Sequence, residues 1–349
     1  MKRSSKDESS GDRSGDAVSF RPSASIESLK QRARILQEVR SFFDDRDVLE
    51  VETPILCEAG AVDEHLEPIR AEYHAHSGAR ARPHYLMTSP EHSMKRLLAA
   101  GSGPIYQVSR AFRDGERGRL HNPEFTILEW YRPGFDHVAL MEEVEALLGR
   151  LLGAPGPQGA ETATPPFARV TYREAFLDVL GINPHRISAD DLSRIAGLEG
   201  IPPPPDFDAS DRDGWLNLML MARVEDTLGF ECPTFLIDYP ASQAALAKVR
   251  DGDPPVAERF ELYVRGVEIA NGYHELLDPR EQESRFVAAN EKRKAAGKPE
   301  LPLDPRLIAA LEAGVPECAG VAVGLDRVVM LALGVETIDE VQAFPIDRA

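Results

Sequence analysis

Residues 110–131 read RAFRDGERGRLHNPEFTILEWY, in which two strand-like runs flank a short loop rich in cations. Side chains alternate between the two faces of a strand, so Phe125, Glu129 and Tyr131 share one face of the second run. The same face of the predicted hairpin carries Arg113 from the first run. A guanidinium beside an aromatic ring suits the phosphate and the purine of a nucleotide. An ordinary half-buried hairpin with a solvated face is the alternative interpretation.

A second group of polar side chains lies in residues 260–276, FELYVRGVEIANGYHEL. Arg265 and Gly266 suit a two-residue hairpin turn. That turn places Glu261 and Glu268 on one face, with their Cβ atoms roughly 5–7 Å apart. Two carboxylates at this separation repel each other unless a cation lies between them, and Mg²⁺ bridging phosphate oxygens would fill that role. A charged strand face exposed to water would also explain the pattern.

Residues 320–334, GVAVGLDRVVMLALG, predict a strand of small and β-branched residues followed by a helix. Asp326 is expected to cap that helix, which places Arg327 in its first turn. A cation there opposes the helix dipole, so Arg327 is expected to serve an anion such as a nucleotide phosphate. The segment lacks the pattern of a phosphate-binding P-loop. A buried strand and helix would explain the glycines but not the position of the arginine.

The composition limits the possible functions. The 349 residues include 40 Lys and Arg against 58 Asp and Glu, a formal net charge of −18, which argues against a main role in gripping a nucleic-acid backbone. The three cysteines, Cys57, Cys232 and Cys318, are far apart and indicate neither a disulfide framework nor a zinc site. No apolar run approaches the ~18–20 residues of a membrane span, so we expect a cytoplasmic protein without membrane association.

Periodicity and chain breakers predict the organisation of the chain. Residues 1–24 are charged and rich in Ser and Gly, which predicts a disordered tail before a folded domain over 25–349. A linker rich in Gly, Pro and Ala is expected at 153–166, and a helical insertion at about 181–230. The other segments predict helices at the rim of a mixed, mostly antiparallel sheet, which is an α+β fold.

Three segments resemble the signature motifs of class II aminoacyl-tRNA synthetases, and among these the lysyl-tRNA synthetase branch. They are FFDDRDVLEVETP (42–54), FRDGERGRLHNPEFTILEWY (112–131) and GVAVGLDR (320–327), in this order along the chain. The resemblance covers nearly everything from about residue 25 to the C-terminus. It implies a class II catalytic domain with an antiparallel sheet flanked by helices, and a homodimer whose interface includes the first motif.

The resemblance also implies the cofactors and the roles of individual residues. ATP would bind together with Mg²⁺ held by Glu261 and Glu268, and Arg113 and Arg327 would act in catalysis on the α-phosphate and the γ-phosphate. The other residues expected at ATP are Asp114, Gly115, His121, Asn122, Phe125, Glu268, Ile269 and Gly324. The residues expected at the amino acid are Ser89, Pro90, Glu91, Tyr131, Glu275 and Ala322. In this set Glu91 would bind an amino group, and Glu275 with Tyr131 would bind a distal ammonium.

Three departures from lysyl-tRNA synthetases bear on the acceptor of the reaction. Only a short polar segment precedes the first motif, so no OB-type anticodon-binding domain is expected. Ala322 replaces a glycine of the third motif, and Gly115 followed by Glu116 stands where the second motif reads FRxE. The first two departures are those of truncated paralogues that modify elongation factor P.

These paralogues imply a reaction for the chain. A carboxylate of (R)-β-lysine would attack ATP to give an aminoacyl-adenylate, and the acyl group would pass to the ε-amine of a lysine on elongation factor P. One alternative is a ligase that charges tRNA or another small acceptor with lysine, although tRNA is not expected as a partner. Another is a catalytically silent regulatory paralogue, which would have no need of Arg113, Glu261, Glu268 and Arg327.

Overall fold

The computed structural model describes residues 20–152, 163–205 and 207–349, so residues 1–19 of the expected tail and 153–162 of the expected linker lie outside the described residues. The described helices are α1 (Ile26–Asp44), α2 (Glu91–Ala99), α3 (His137–Leu152), α4 (Tyr172–Leu180), α5 (Ala189–Leu198), α6 (Arg212–Met219), α7 (Pro279–Ala295), α8 (Pro305–Ala313) and α9 (Leu325–Leu333). The described strands are β1 (Leu49–Glu50), β2 (Leu56–Cys57), β3 (Arg70–Tyr73), β4 (Arg82–Leu86), β5 (Ile105–Phe112), β6 (Glu124–Pro133), β7 (Ala168–Thr171), β8 (Thr234–Pro240), β9 (Val249–Arg250), β10 (Val256–Val264), β11 (Val267–His274) and β12 (Cys318–Gly324).

These strands form two sheets. The larger sheet has the order β1–β5–β6–β12–β11–β10–β8–β7, with β9 paired to β10. Its central pairs are antiparallel, whereas the two end pairs, β1 with β5 and β7 with β8, are parallel. The smaller sheet has the order β2–β4–β3. The α+β class and the mostly antiparallel sheet are confirmed, and every described strand belongs to one of these two sheets rather than to an OB-type domain.

Two helix starts differ from the sequence prediction. The Ser89-Pro90 pair predicts a helix with Ser89 as its cap and Pro90 as its first residue, but α2 begins at Glu91 with Pro90 at the capping position. Ser89 Oγ still accepts a hydrogen bond from the Glu91 amide (3.1 Å). Asp326 was expected to cap α9, but the helix begins at Leu325. The Asp326 carboxylate instead accepts a hydrogen bond from the Thr126 amide (2.8 Å), because β6 lies directly beside the start of this helix.

The predicted turn between β10 and β11 is confirmed. Arg265 and Gly266 both have positive φ (53° and 72°), as a two-residue hairpin turn requires. Tyr263 lies opposite Glu268, as the turn predicts. The register then shifts by one residue through a β-bulge, so Glu261 lies opposite Asn271.

The two faces of the large sheet have different roles. One face packs against α1, α3 and α9 in a buried apolar core to which β6, β10 and β12 contribute alternate residues. Phe43 of α1 stacks on Tyr106 with ring centroids 4.3 Å apart and lies edge-on to Trp130 at 5.2 Å. The opposite face of the sheet is therefore free to carry polar groups under α6 and α7.

The helical segment expected at 181–230 contains α5 and α6 and two further short helical turns, Leu220–Val224 and Glu225–Thr227. With α4 it forms its own apolar cluster, which packs on β8 through Leu236 and Tyr239. Its description as an insertion stays a prediction. The sequence analysis missed α8 and the small second sheet. None of the described helices has both the length and the apolar character needed to cross a bilayer.

Candidate active site

A cavity of about 630 Å³ lies on the polar face of the large sheet. Alternate residues of β6, β11 and β12 form its floor, and α6, α7 and the loop at 61–66 form its sides and roof. This volume lies within the ~300–1,000 Å³ typical of small-molecule sites.

The cavity brings together most of the residues that the sequence predicted. It is lined by Ser89, Glu91, Arg113, His121, Asn122, Phe125, Tyr131, Glu268, Glu275, Ala322, Gly324 and Arg327. The other predicted residues, which do not line it, are Pro90, Asp114, Gly115, Glu261 and Ile269.

Local packing explains why those five residues lie elsewhere. Pro90 borders a smaller neighbouring cavity of about 190 Å³. Asp114 and Gly115 are exposed in the loop, where the Asp114 carboxylate accepts a hydrogen bond from the Gly115 amide (2.9 Å). The Ile269 side chain packs into the apolar core on the other face of the sheet. Glu261 is buried beneath the cavity wall.

One end of the cavity is cationic. Arg327 donates a hydrogen bond from Nη1 to the Glu268 carbonyl (2.7 Å), and its Nη2 lies 2.7 Å from Nε2 of His121. Burial and the neighbouring guanidiniums of Arg327 and Arg113 lower the pKa of His121 to about 4, so this imidazole is neutral at physiological pH. The guanidiniums of Arg113 and Arg327 are permanently charged, and together with the neutral imidazole of His121 they suit a polyanion such as a triphosphate.

Arg113 lies over the face of Phe125, with Cζ 4.9 Å from the ring centroid. Its Nε is buried and has no hydrogen-bond partner, which points to a ligand as its missing acceptor. Glu116 also lines the cavity, 3.8 Å from Arg113 Nη1, whereas Gly115 does not. The residue after the glycine thus brings a carboxylate to the cavity beside Arg113.

Asn122 supports the loop of the second motif. Its Nδ2 donates to the Glu124 carbonyl (2.7 Å), and its Oδ1 accepts from the Ile346 amide (3.0 Å). The Asn122 amide group therefore uses both its nitrogen and its oxygen to bind backbone groups beside the cavity.

Glu261 and Glu268 lie close together beside the cationic end. Burial and the neighbouring Glu261 raise the pKa of Glu268. The Glu268 side chain is 39% exposed and lines the cavity. Arg259 Nη2 lies 2.5 Å from Glu261 Oε1, and Asn271 Nδ2 donates to the same oxygen (3.2 Å). The protein thus supplies Arg259 to Glu261 and Arg327, whose Nη1 lies 3.6 Å from Oε2, to Glu268. Part of the Glu268 carboxylate still faces the cavity, where a divalent cation fits.

A third carboxyl group, Glu225, approaches this pair from the helical segment. Tyr263 Oη lies 3.3 Å from Glu225 Oε1 and 2.7 Å from Glu261 Oε2. Burial and the charges of Glu261 and Glu268 raise the pKa of Glu225 to about 7. The sequence analysis missed Glu225, because only the fold brings this helical turn against β10.

The other end of the cavity is rich in carboxylates. The Lys95 ammonium lies 2.7 Å from Glu91 Oε1 and 2.6 Å from Glu275 Oε2. Glu129 is 2% exposed and accepts hydrogen bonds from Ser89 Oγ (2.8 Å) and from the Tyr131 hydroxyl (2.7 Å). Burial and the neighbouring Glu91 raise the pKa of Glu129 to about 8.

The charges at this end do not balance. Three carboxyl groups, those of Glu91, Glu129 and Glu275, face the single ammonium of Lys95. Buried carboxylates without counter-charges are costly. When all three carboxyl groups are ionised, two further positive charges would balance them, which is what a substrate with two ammonium groups carries.

Two small residues of β12 form the floor beneath this end. A Cβ atom at Gly320 would overlap Tyr131 and the Glu275 carboxylate. Ala322 lies opposite Glu129 on one side and Asn271 on the other. The Ala322 methyl group therefore reaches the floor of the carboxylate-rich end, as expected of a residue that shapes an amino-acid pocket.

Some of the residues that were missed have a partial signal in the sequence. Glu129 was placed on the correct face of β6 but was not predicted as a site residue. Lys95 follows Glu91 by four residues, the spacing at which helical side chains meet, and this spacing could have identified it. Arg259 lies two residues before Glu261 in β10, the spacing at which strand side chains share a face, so it too could have been identified. Gly320 had no such signal, because its contact with Tyr131 depends on a neighbouring strand.

Comparison with known proteins shows the family to which the chain belongs. The profile described as tRNA synthetases class II (D, K and N) matches residues 14–348. A protein from Vibrio cholerae named elongation factor P–(R)-β-lysine ligase is 52% identical over 331 residues, covering 94% of this chain and 98% of the relative. A protein of the same name from Proteus mirabilis is 48% identical over 345 residues, covering 96% and 99%. The chain belongs to the class II tRNA synthetase family, in the branch of the elongation factor P–(R)-β-lysine ligases.

Proposed function

We propose that this protein activates (R)-β-lysine with ATP and transfers the β-lysyl group to the ε-amine of a lysine on elongation factor P. The observation that carries the proposal is the division of one cavity into a cationic end and a carboxylate-rich end. A triphosphate fits the first end, and an amino acid with two ammonium groups fits the second. The relatives' names supply the identity of the amino acid and of the acceptor.

ATP would lie with its phosphates against Arg113 and Arg327. Arg113 has an unpaired buried Nε and stands over Phe125, so the two side chains would bind the α-phosphate and the adenine. Arg327 is fixed by the Glu268 carbonyl and would hold the far phosphates. Both cations are positioned before the ligand arrives, which is how charge on a transferring phosphoryl group is best stabilised.

Glu268, supported by Glu261, would hold Mg²⁺. The raised pKa of Glu268 reflects burial and a like charge beside it, and a divalent cation would relieve both. When bound, the ion would neutralise phosphate oxygens and orient the leaving pyrophosphate. Arg259 lies against Glu261 and would keep that carboxylate in place.

The amino acid would bind with its ammonium groups among Glu91, Glu129 and Glu275. Tyr131 and Ser89 orient Glu129, and Lys95 orients Glu91 and Glu275. We assign the preference for the β-isomer to Ala322, whose methyl group takes space that a glycine would leave to the substrate.

The reaction would proceed in two balanced steps. A carboxylate oxygen of β-lysine attacks the α-phosphorus, and the bond to pyrophosphate breaks. The acceptor's neutral ε-amine then attacks the acyl carbon, AMP leaves, and the amine proton is lost. Positioning and fixed charges supply most of the rate enhancement expected of such a site.

A homodimer and a cytoplasmic location complete the proposal. The first motif and the two residues after it expose Leu49, Ile55 and Leu56 (55%, 40% and 41%), which a second copy could cover. Light scattering on wild type and on Leu49→Asp tests this, because only the wild type should have twice the monomer mass. The cytoplasm supplies ATP, and cell fractionation tests that location.

ATP–pyrophosphate exchange tests the first half-reaction. Exchange should depend on both Mg²⁺ and (R)-β-lysine, and Arg113→Ala should abolish it. Absence of exchange with every lysine isomer would instead favour a silent regulatory paralogue. Exchange followed by preferential charging of tRNA would favour the tRNA-charging alternative, against which the net charge of −18 weighs.

A further inference from the structure

A second group of metal-ligand side chains lies away from the cavity, where α3 meets the ends of β10 and β11. His137 is the first residue of α3, Glu258 lies in β10, and His274 ends β11. One potential ligand atom from each residue lies within 4.8 Å of the others. None of the three lines the active-site cavity. In the part of the chain that the structure describes, this is the one place where three such side chains meet so closely.

The hydrogen bonds of the cluster leave one buried atom unused. Glu258 Oε2 lies 2.6 Å from His274 Nδ1, which gives these two groups a partner. His137 is only 5% exposed, yet its Nδ1 has no hydrogen-bond partner. An unpaired polar atom in a buried position costs free energy and calls for a reason. A satisfied His–Glu pair explains two of the residues but does not explain His137.

The state of the imidazole rings suits a metal ion. The rings of His137 and His274 lie nearly parallel, 20° apart, with centroids separated by 6.5 Å. Burial lowers the pKa of His137, which keeps its ring neutral and its lone pair available. Neutral imidazole is the form that binds metal.

Two imidazoles and one carboxylate are the ligand set of a zinc-class divalent cation rather than of Mg²⁺ or Ca²⁺, which prefer oxygen ligands alone. We propose that His137, Glu258 and His274 form a binding site for a Zn²⁺-type ion, separate from the active site. Glu258 contacts His274 at Nδ1, whereas Glu317 Oε1 lies 3.3 Å from Nε2, so the Glu317 carboxylate can accept a hydrogen bond from the ring nitrogen that does not bind the ion.

Two neighbouring cationic side chains already lie near the carboxylates of Glu258 and Glu317. Arg250 Nη1 lies 3.8 Å from Glu258 Oε1, beyond hydrogen-bond distance, and Lys248 Nζ lies 3.2 Å from Glu317 Oε1. The side chains of Lys248 and Arg250 are about half exposed and can turn towards solvent. Metal ligands bind in their deprotonated forms, so binding of the ion should strengthen as pH rises.

Such an ion would join the start of α3 to the β10–β11 hairpin. His274 directly precedes Glu275, so the link lies behind the carboxylate-rich end of the active site. Because the ion binds the folded state, it should raise the thermal midpoint of unfolding.

The test uses the full chain without an affinity tag, stripped of metal and titrated with Zn²⁺ by calorimetry, and with Co²⁺ by visible absorption. Glu268→Gln serves as the background, so that binding at the active-site carboxylates does not interfere. We expect one ion per chain, and His137→Ala should weaken its binding by about 10–100-fold or more. His76→Ala, which removes an exposed imidazole, is the matched control and should bind like the background protein.

His137→Ala should fold, because the Asp136 carboxylate that accepts from the Ala139 amide (2.8 Å) at the start of α3 stays in place. Circular dichroism checks this, and Glu258→Gln provides a second variant that should also lose the ion. Equal Zn²⁺ affinity in His137→Ala and the background protein would overturn the proposal. So would the lack of a bound ion in the background protein itself.

Discussion

Nζ of Lys95 lies 2.6 Å from Oε2 of Glu275, and each of the two side chains is only 1% exposed. The same ammonium contacts Glu91 at 2.7 Å. Burial opposes a charge on Lys95, but the two carboxylates outweigh burial and raise its pKa. The protein therefore keeps one permanent cation inside the region where we propose that the substrate ammonium groups bind.

Removing that cation should destabilise the protein in a pH-dependent way. Lys95→Met should lower the free energy of unfolding by about 3–5 kcal/mol near pH 8, because Glu275 is left buried and unpaired. Burial already raises the pKa of Glu275. A carboxyl group with a raised folded-state pKa costs stability as pH rises, so the loss should be smaller near pH ~5. Urea unfolding at both pH values measures this.

Two controls make this result specific. Lys95→Met combined with Glu275→Gln should recover much of the loss, because the unpaired charge is removed. Lys30→Met breaks an exposed pair with Glu27 and should change stability by no more than about 0.5 kcal/mol. An equal loss at both pH values, unrelieved in the double variant, would show that Lys95 acts by packing alone.

Gly320 should be intolerant of a single added methyl group. A Cβ atom there would overlap Tyr131 and Glu275, so Gly320→Ala must displace groups that we place around the distal ammonium. We expect kcat/KM for β-lysine to fall by about 100-fold, the scale of a misplacement near 1 Å. Gly197→Ala is the matched control, since a Cβ atom there meets nothing within 4 Å. Unchanged kinetics in Gly320→Ala would contradict this floor for the pocket.

Binding of the amino acid should be linked to the ionisation of Glu129. Its pKa of about 8 means that the carboxyl group is mostly protonated at neutral pH when the substrate is absent. Substrate ammonium favours the carboxylate, so binding must release this proton below that pH. We expect the Kd for β-lysine to fall as pH rises from about 6 to about 8, by at most about tenfold per pH unit.

Calorimetry in buffers of different ionisation enthalpy measures both the affinity and the proton release. Glu129→Gln should bind more weakly and lose the pH dependence that Glu129 contributes. An affinity that is flat or that weakens over this pH range in the wild type would contradict the role given to Glu129.

Glu268→Gln should impair adenylate formation rather than folding. Loss of its charge removes the cavity-facing carboxylate of the proposed Mg²⁺ site, so pyrophosphate exchange should fall by about 100-fold or more. The thermal midpoint should hold or rise, because the like charge beside Glu261 is gone. Glu72→Gln on the exposed strand β3 is the control. Full exchange activity in Glu268→Gln would show that the metal assignment is wrong.

Much of the fold was predictable because the signals were local. The alternation along β6 and the turn at Arg265 and Gly266 depend on residues close in sequence, and both are found. The two helix starts that differ have a different origin. Asp326 could serve as a cap, but its carboxylate accepts from the amide of Thr126, far away in sequence. Ser89 Oγ accepts from the Glu91 amide at the start of α2 and also donates to the distant Glu129.

The site was predictable where a motif carried it and missed where only packing did. The resemblance identified Glu91 and Glu275, but the ion pair of Lys95 with Glu275 joins α2 to the end of β11 across the fold. Glu261 was expected to bind a metal directly, and Arg259, two residues before it on the same face of β10, was overlooked as its partner. The charge balance of the amino-acid pocket becomes visible only with both contacts in place.

The acceptor assay tests the central claim most directly. Purified protein is incubated with ATP, Mg²⁺ and either (R)-β-lysine or α-lysine, in the presence of both elongation factor P and tRNA(Lys). Mass spectrometry should show one β-lysyl group added to a single lysine of elongation factor P, much less product with α-lysine, and uncharged tRNA. Charging of tRNA(Lys) at an equal or higher rate, with elongation factor P unmodified, would contradict the proposed function.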